Sequence, residues 1–174
     1  IPIKIKKKRK IKIGFDPKLI TSKTLGLIFK NNSFKFIPLK KNLVDLIWTR
    51  KNYSSNKNFF HLSEDFTGQS SKQKLSKVCK NLKKKGGDFQ FISASENNAW
   101  LFNIRGGDSK YSPIPNCYSL VDKKKRIYFF CDVNKITASI KKKYNHLIFM
   151  GIKNTGKILS KIKNKKFIID SKTC

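Results

Sequence analysis

The sequence predicts an α/β protein, because short apolar runs alternate with stretches of helical period along its 174 residues. With 39% hydrophobic residues and 14 phenylalanines it can bury a core, which argues against general disorder. The apolar runs Ile127 to Cys131 and Leu147 to Met150 are far too short to cross a bilayer. The opening "IPIKIKKKRKIKIG" threads charge through its apolar residues and lacks the unbroken run of a signal peptide.

Taken in order, "KIKIGFD" reads as a strand ending at Asp16-Pro17, and "SKTLGLIFKN" as a helix. "FKFIPL" is a second strand and Leu43 to Trp48 a short helical turn. This unit is too small to cover both faces of its sheet, so part of it is expected to be missing before Ile1. Residues 50–69 are polar and rich in Asn and Ser, and read as a linker. Helix signals resume at Ser70-Ser71-Lys72-Gln73, which has capping-box spacing. Leu75, Val78, Cys79 and Leu82 follow as one apolar stripe, and Gly86-Gly87 ends the helix. "DFQFISA" is the next strand and "SENNAWLFN" a short helix that breaks into Arg105-Gly106-Gly107-Asp108. Cys117 to Asp132 form a hairpin around a lysine-rich turn. Asn134 is placed as the cap of a helix through Tyr144, with Ile136 and Ile140 on one face. "HLIFM", "ILSKIKN" and "KFIID" give strand, helix, strand, with no covering element after the last.

The net charge of +30 invites a nucleic-acid reading. Four of the forty basic residues are arginines, however, and base-edge readout favours arginine's rigid fork. The lysines are spread along the chain, while lysine, asparagine, isoleucine and phenylalanine are abundant and alanine occurs three times. That bias is expected of an A+T-rich genome, and solvated lysine faces explain the charge better than a polyanion site. A lysine-rich RNA- or DNA-binding module stays as the alternative; its affinity would fall steeply with salt.

Cys79, Cys117, Cys131 and Cys174 form no CxxC pair, so reduced, mostly buried thiols in a cytoplasmic protein are expected. Gly151 to Lys157 has the G-x4-G-K spacing of a phosphate loop, but Ile158 stands where a magnesium-binding hydroxyl is needed. His61 and His146 lack partners at ligand spacing, and neither paired carboxylates nor three metal ligands cluster in the sequence.

Four stretches, in order, carry a family resemblance: "KIGFDP", "NLVDLIWTRK", "FTGQSSKQKLSKV" and "ENNAWLFNIRGGDSKYSPIPNCYSLV". They resemble the non-catalytic N-terminal region of Xaa-Pro aminopeptidases of the three-domain, aminopeptidase P type. There the last stretch reads roughly D-x-I-A-W-L-F-N-L-R-G-x-D-x-x-x-x-P, so Asn98 stands where the family usually has isoleucine. The resemblance implies a creatinase N-terminal-like mixed β-sheet flanked by helices. Residues 1–49 would be the C-terminal tail of a first such domain, and 70–174 a second one, incomplete at its C-terminus. It also implies that catalysis, removal of an N-terminal residue preceding proline, belongs to a C-terminal domain absent from this chain. Two divalent metal ions, manganese being the expected one, would sit there, held by two Asp, one His and two Glu. This chain would then hold no metal and be inactive alone, serving as scaffold, dimerisation surface and substrate-gating wall. Its expected partners are that catalytic domain, a second copy of the full protein, and proline-containing peptides as substrate of the full protein. Carried over by motif, Arg105, Asp108 and Tyr111 would lie near the cleft mouth or a domain interface, with Gly106 and Gly107 permitting a close turn. Arg105 could then pair with a carboxylate across the interface. The alternative is that Arg105 and Asp108 stabilise their own turn, with Trp100, Leu101 and Phe102 as core.

Overall fold

The computed structural model describes residues 10–29, 33–48 and 55–173. The expectations for the basic start, the end of the first helix, residues 50–54 and Cys174 lie outside them. The chain divides into two compact units, one of residues 1–52 with 171–173, the other of residues 53–170.

In the first unit, β1 (Ile11–Phe15) alternates between half-buried and exposed residues, as its apolar–polar sequence requires. The helix α1 (Ser22–Ile28) follows, capped by the Thr21 hydroxyl, which accepts from the Thr24 amide at 3.2 Å. It leads to β2 (Phe34–Pro38), which pairs in parallel with β1 and sets Ile13 opposite Phe36. The short helix α2 (Leu43–Ile47) is capped by Asn42, whose amide also donates to Asp16 Oδ2 at 3.0 Å. None of its residues is buried.

The second unit begins with β3 (Phe60–His61) and α3 (Glu64–Thr67), inside the stretch expected to be a linker. That expectation is corrected from Ser55 onward. Phe59 is 2% exposed and belongs to the main core, although its neighbours Asn56, Lys57 and Asn58 give no apolar pattern. The long helix α4 (Ser71–Lys84) starts at a complete capping box between Ser70 and Gln73. It buries Leu75, Cys79 and Leu82, and ends before Gly86, which takes a φ of +64°.

β4 (Phe89–Ile92), α5 (Ser95–Phe102), β5 (Ile104–Arg105) and the hairpin β6 (Tyr118–Asp122) and β7 (Ile127–Cys131) come next. The hairpin turn is held by the buried Asp122 carboxylate, which accepts from the amides of Lys124 and Arg126 at 2.7 and 2.8 Å. A 3₁₀ turn at Val133–Lys135 then separates the hairpin from α6 (Ala138–Lys143). The cap of α6 is Thr137, whose hydroxyl accepts from the Ile140 amide; Asn134, expected in that role, lies inside the 3₁₀ turn. β8 (Leu147–Gly151), α7 (Thr155–Lys161) and β9 (Phe167–Ile168) complete the unit. Gly151 ends a strand and Ile152–Asn154 wind into a 3₁₀ turn, so the G-x4-G-K spacing forms no open phosphate-binding loop.

The main sheet is mixed and five-stranded, in the order β8-β7-β6-β4-β9. β7 is parallel to β8 and β4 to β9, while β4–β6 and β6–β7 are antiparallel. Strand alternation builds two cores from one run of sequence. Ile127, Phe129 and Cys131 join α4, α5 and α6 on one face; Phe130 joins Phe89, Leu120 and α7 on the other. "IYFFC" is continuously apolar because both faces of β7 are covered. The fold is thus a mixed α/β sheet flanked by helices.

Asn98, the departure from the family's isoleucine, is fully buried and fully bonded. Its amide donates to the carbonyls of Ile92 and Ala94 at 3.1 and 2.9 Å, and its oxygen accepts from the Ser119 hydroxyl at 2.5 Å. Removing a partner strands the others without water. Asn98→Ala should therefore lose about 1–3 kcal/mol in urea denaturation. Adding Ser119→Ala should cost little more, and a double-mutant cycle measures the coupling.

Candidate functional site

The corner around Arg105 is built where α5 hands over to β5. Its hinge is Asn103, completely buried, with a φ of +54°. Asparagine visits this left-handed region more readily than other residues with a Cβ, because its short amide can bond locally. Here its side chain and its backbone carbonyl are all engaged. The Asn103 amide donates to the Gln69 carbonyl at 2.8 Å, its side-chain oxygen accepts from Lys74 Nζ at 2.6 Å, and its backbone carbonyl accepts from the Leu62 amide at 2.8 Å. The reversal lets Ile104–Arg105 pair antiparallel with Phe60–His61.

Gly106 and Gly107 follow with no positive φ, so their need is for space. A Cβ on Gly106 would sit 2.8 Å from the Phe59 ring and 3.0 Å from the Pro115 backbone. One on Gly107 would meet the Lys57 side chain at 2.8 Å. The expected close turn is real in that sense, and Asn103 provides the conformational part.

Of the three residues singled out in the sequence, the structure uses each differently. The half-buried Arg105 turns its guanidinium back on α5, donating to the carbonyls of Ala99 at 2.6 Å and Ile104 at 3.2 Å. Among the described residues no carboxylate lies within ion-pair distance of it. Asp108 is engaged within its own unit: one oxygen pairs with Lys135 Nζ and the other accepts from the Asn116 amide at 2.7 Å. Tyr111 stands 86% exposed, with Lys110 Nζ 5.1 Å from its ring centre. The three do not converge on one point. Leu101 and Phe102 are core as expected, but Trp100 is 56% exposed and outside it.

Sequence reading missed Lys74. A lysine in a helix reads as a solvated charge, yet this one is 2% exposed. Its ammonium donates to the Trp100 carbonyl at 2.9 Å and to Asn103, and lies 4.4 Å from the centre of the Trp100 ring. Burial, and then the neighbouring Arg105 charge, lower its proton affinity. Among the described residues no acid forms an ion pair with either cation, so this corner is positive, with an exposed tryptophan beside it. The one signal available was spacing: Lys74 precedes Leu75 and Val78 by one and four residues, at the edge of the buried stripe.

Behind the corner, the Tyr144 hydroxyl donates to the Phe102 carbonyl. Its oxygen is therefore left to accept from His61 Nδ1, 2.7 Å away, which leaves His61 Nε2 as an unpartnered acceptor. Both nitrogens of His146 are likewise buried without a partner. Burial pushes the Tyr144 pKa upward and lowers both imidazoles, aided by Lys143 at His61 and Lys72 at His146. Cys79, Cys117 and Cys131 are free and buried, and desolvation raises all three, Cys131 to about 12. Such thiols are inert at neutral pH. Among the described residues no group of three or more His, Cys, Asp or Glu could hold a metal ion, so a two-metal centre does not fit the residues present. Among the described residues no helix is long and apolar enough to cross a membrane.

This sheet, its helices and its tryptophan-bearing corner define a creatinase-type N-terminal α/β domain. The chain belongs to the Creatinase/Prolidase N-terminal domain family, which matches residues 49–174. A Coprinopsis cinerea protein named probable Xaa-Pro aminopeptidase P is 36% identical over 123 residues, 68% of this chain and 20% of the fungal one. A Paracoccidioides lutzii protein of the same name is 33% identical over 135 residues, 75% of this chain and 22% of its own. The solved X-prolyl aminopeptidase of Caenorhabditis elegans, described as a cytosolic enzyme with a di-nuclear active site, matches with a TM-score of 0.78 and 25% identity. That match covers 88% of this chain and 26% of the nematode enzyme. The chain thus spans about a fifth to a quarter of the proteins it resembles. These findings give the RNA- or DNA-binding alternative no support.

The two imidazoles generate a pH prediction. A histidine whose folded pKa lies below its unfolded value of 6.5 lets the unfolded chain take up protons first. Stability should therefore be constant above that value and fall as the pH drops below it, levelling once the folded imidazoles titrate. Asp88, held below its usual 3.8 by Lys123, weakens the fold only at lower pH. Thermal unfolding between about pH 8 and pH 5 should show the loss, and a His61→Gln/His146→Gln variant should flatten it.

Proposed function

We propose that this chain is the non-catalytic N-terminal portion of a metal-dependent Xaa-Pro aminopeptidase of the cytoplasm. The observation that carries the reading is the agreement of sequence and fold with proteins of that name across most of this chain, but only a fifth to a quarter of theirs. In this reading residues 1–49 are the tail of a first domain and the rest is the second domain. The catalytic domain, with two divalent metal ions, is supplied by chain beyond this one. The N-terminal portion serves as scaffold, dimerisation surface and a wall that gates proline-containing peptides.

Arg105 is the contact we assign to that assembly. Its guanidinium has donors left over after Ala99 and Ile104, no ion-pair partner among the described residues, and the exposed Trp100 and Tyr111 nearby in sequence. A carboxylate arriving from the catalytic domain would meet a planar fork already held in place by two carbonyls. Asp108 serves the same corner by anchoring the following loop to Lys135.

The purified chain, given manganese and an Xaa-Pro peptide, should release no N-terminal residue. Joined to its catalytic domain it should do so, and Arg105→Ala should weaken the docking by about 1–3 kcal/mol. Robust proline-specific cleavage by the chain alone would overturn the reading.

A further inference from the structure

The hairpin β6–β7 brings two cysteines face to face. Its register sets Tyr118 opposite Phe130 and Ser119 opposite Phe129. One place further along, Cys117, the residue before β6, stands across from Cys131, the last residue of β7. Alternation puts the two on the same face of the sheet. Cys117, Phe129 and Cys131 join one core, whereas Tyr118 and Phe130 join the other. Both cysteines are fully buried and free.

Opposite residues in an antiparallel ladder alternate between hydrogen-bonded and non-hydrogen-bonded pairs. The Asp122 amide donates to the Arg126 carbonyl at 3.0 Å, so the pair that closes the turn is hydrogen-bonded. From residue 122 to residue 117 is five places, an odd number, which makes Cys117–Cys131 a non-hydrogen-bonded pair. The backbone of Cys117 agrees. Its carbonyl accepts from Ser95 Oγ and Asn98 Nδ2, both at 3.4 Å, and its amide donates to Ser95 Oγ at 3.5 Å. Both groups therefore face α5 and not β7. Partners of this kind stand about 4.5 Å apart between Cα atoms, with side chains at their closest, and a disulfide spans about 4.4–6.8 Å. The bond fits here without moving the strands. Cys79 is placed elsewhere, on α4 and 3.6 Å from the Asp122 carbonyl, at the turn end of the hairpin.

We infer that Cys117 and Cys131 are a redox site that closes reversibly into a cross-strand disulfide, with a small-molecule disulfide as oxidant. One cysteine thiolate attacks the small disulfide, whose S–S bond breaks and releases one small thiolate. The second cysteine thiolate attacks the cysteine sulfur of that mixed disulfide, forming the Cys117–Cys131 bond and releasing the other small thiolate. Each cysteine has given its proton to solvent, and the two electrons lost by the pair have reduced the small disulfide. Burial keeps both thiols protonated while the sheet is closed. Exchange therefore runs through transient opening of the hairpin, and reclosure holds the product. The bond joins β6 to β7 in the interior of the five-stranded sheet.

The unaltered chain is incubated with oxidised glutathione in urea below its unfolding transition. Its remaining thiols are alkylated and linked peptides are identified by mass spectrometry. The chain should lose the mass of two hydrogen atoms and regain it with dithiothreitol. The Cys117–Cys131 link should outnumber any link to Cys79 or Cys174 at least about tenfold. A Cys79→Ala/Cys174→Ala variant is then equilibrated with reduced and oxidised glutathione, in native buffer and in denaturing urea. The disulfide should be favoured at least about tenfold more in the folded chain, where the ladder holds the sulfurs together. Should that variant not fold, the unaltered chain carries the same information, because its oxidised form should unfold at higher urea than its reduced form. Absence of the link, links spread evenly among the cysteines, or stable glutathione adducts in its place would overturn the inference. So would a disulfide no more favoured in the folded chain than in the unfolded one.

Discussion

Asn103 is the residue on which the second unit turns. It is fully buried, it holds a backbone conformation that most side chains avoid, and it ties the end of α5 to Gln69, Lys74 and Leu62. Through it α5 ends, β5 starts, the Gln69 carbonyl is satisfied and the Lys74 ammonium is held inside the protein. A residue that could not bond in all these directions would take one of two oxygens from a buried cation and the nearer donor from the Gln69 carbonyl. The energetic weight lies in that loss more than in any one bond, because buried polar groups cost most when their partners disappear. The corner that carries Arg105 is the visible end of this arrangement.

Much of the architecture was legible because it repeats. The stripe from Leu75 to Leu82, the Ser70–Gln73 box, the two-strand hairpin and the apolar run of β7 each extend over enough residues to show a period. The features that escaped are short or solitary. β3 and β5 are two residues each, too brief for alternation, so Phe59 and His61 were lost among their polar neighbours. The cap at Thr137 and the candidate at Asn134 obey the same rule, and only the 3₁₀ turn between them decides. The family motif draws notice to this corner through its glycines, whereas the positive φ that reverses the chain there lies at Asn103. Of the residues singled out there, only Arg105 combines a cation with spare donors. Asp108 is committed to Lys135, and Tyr111 makes its one ring contact with Lys110.

Charge tells a similar story at the scale of the whole chain. The composition suggested that the lysines are a solvated coat, and most are exposed. Among the described residues Lys74 and Lys135 are the exceptions, and each is buried by a different device. Lys135 has a carboxylate, Asp108, while Lys74 has only neutral oxygens and an aromatic face. A buried ion pair and a buried lone cation differ in what they demand of the surroundings. The pair is self-contained, whereas the lone cation keeps its charge only through well-placed dipoles. Neither case could be told from the other thirty-odd lysines by composition, since both depend on what folding places opposite them.

β9 sits at one border of the main sheet and contributes only two residues to the ladder, between Lys165-Lys166 on one side and Asp170 on the other. A border this short and this charged presents few free backbone groups in a row, and its lysines repel a like copy. Longer, flatter borders recruit strands from neighbouring molecules and seed aggregates. A chain with so many phenylalanines carries that hazard in its composition. The brevity of β9 limits fibrous self-association along that border.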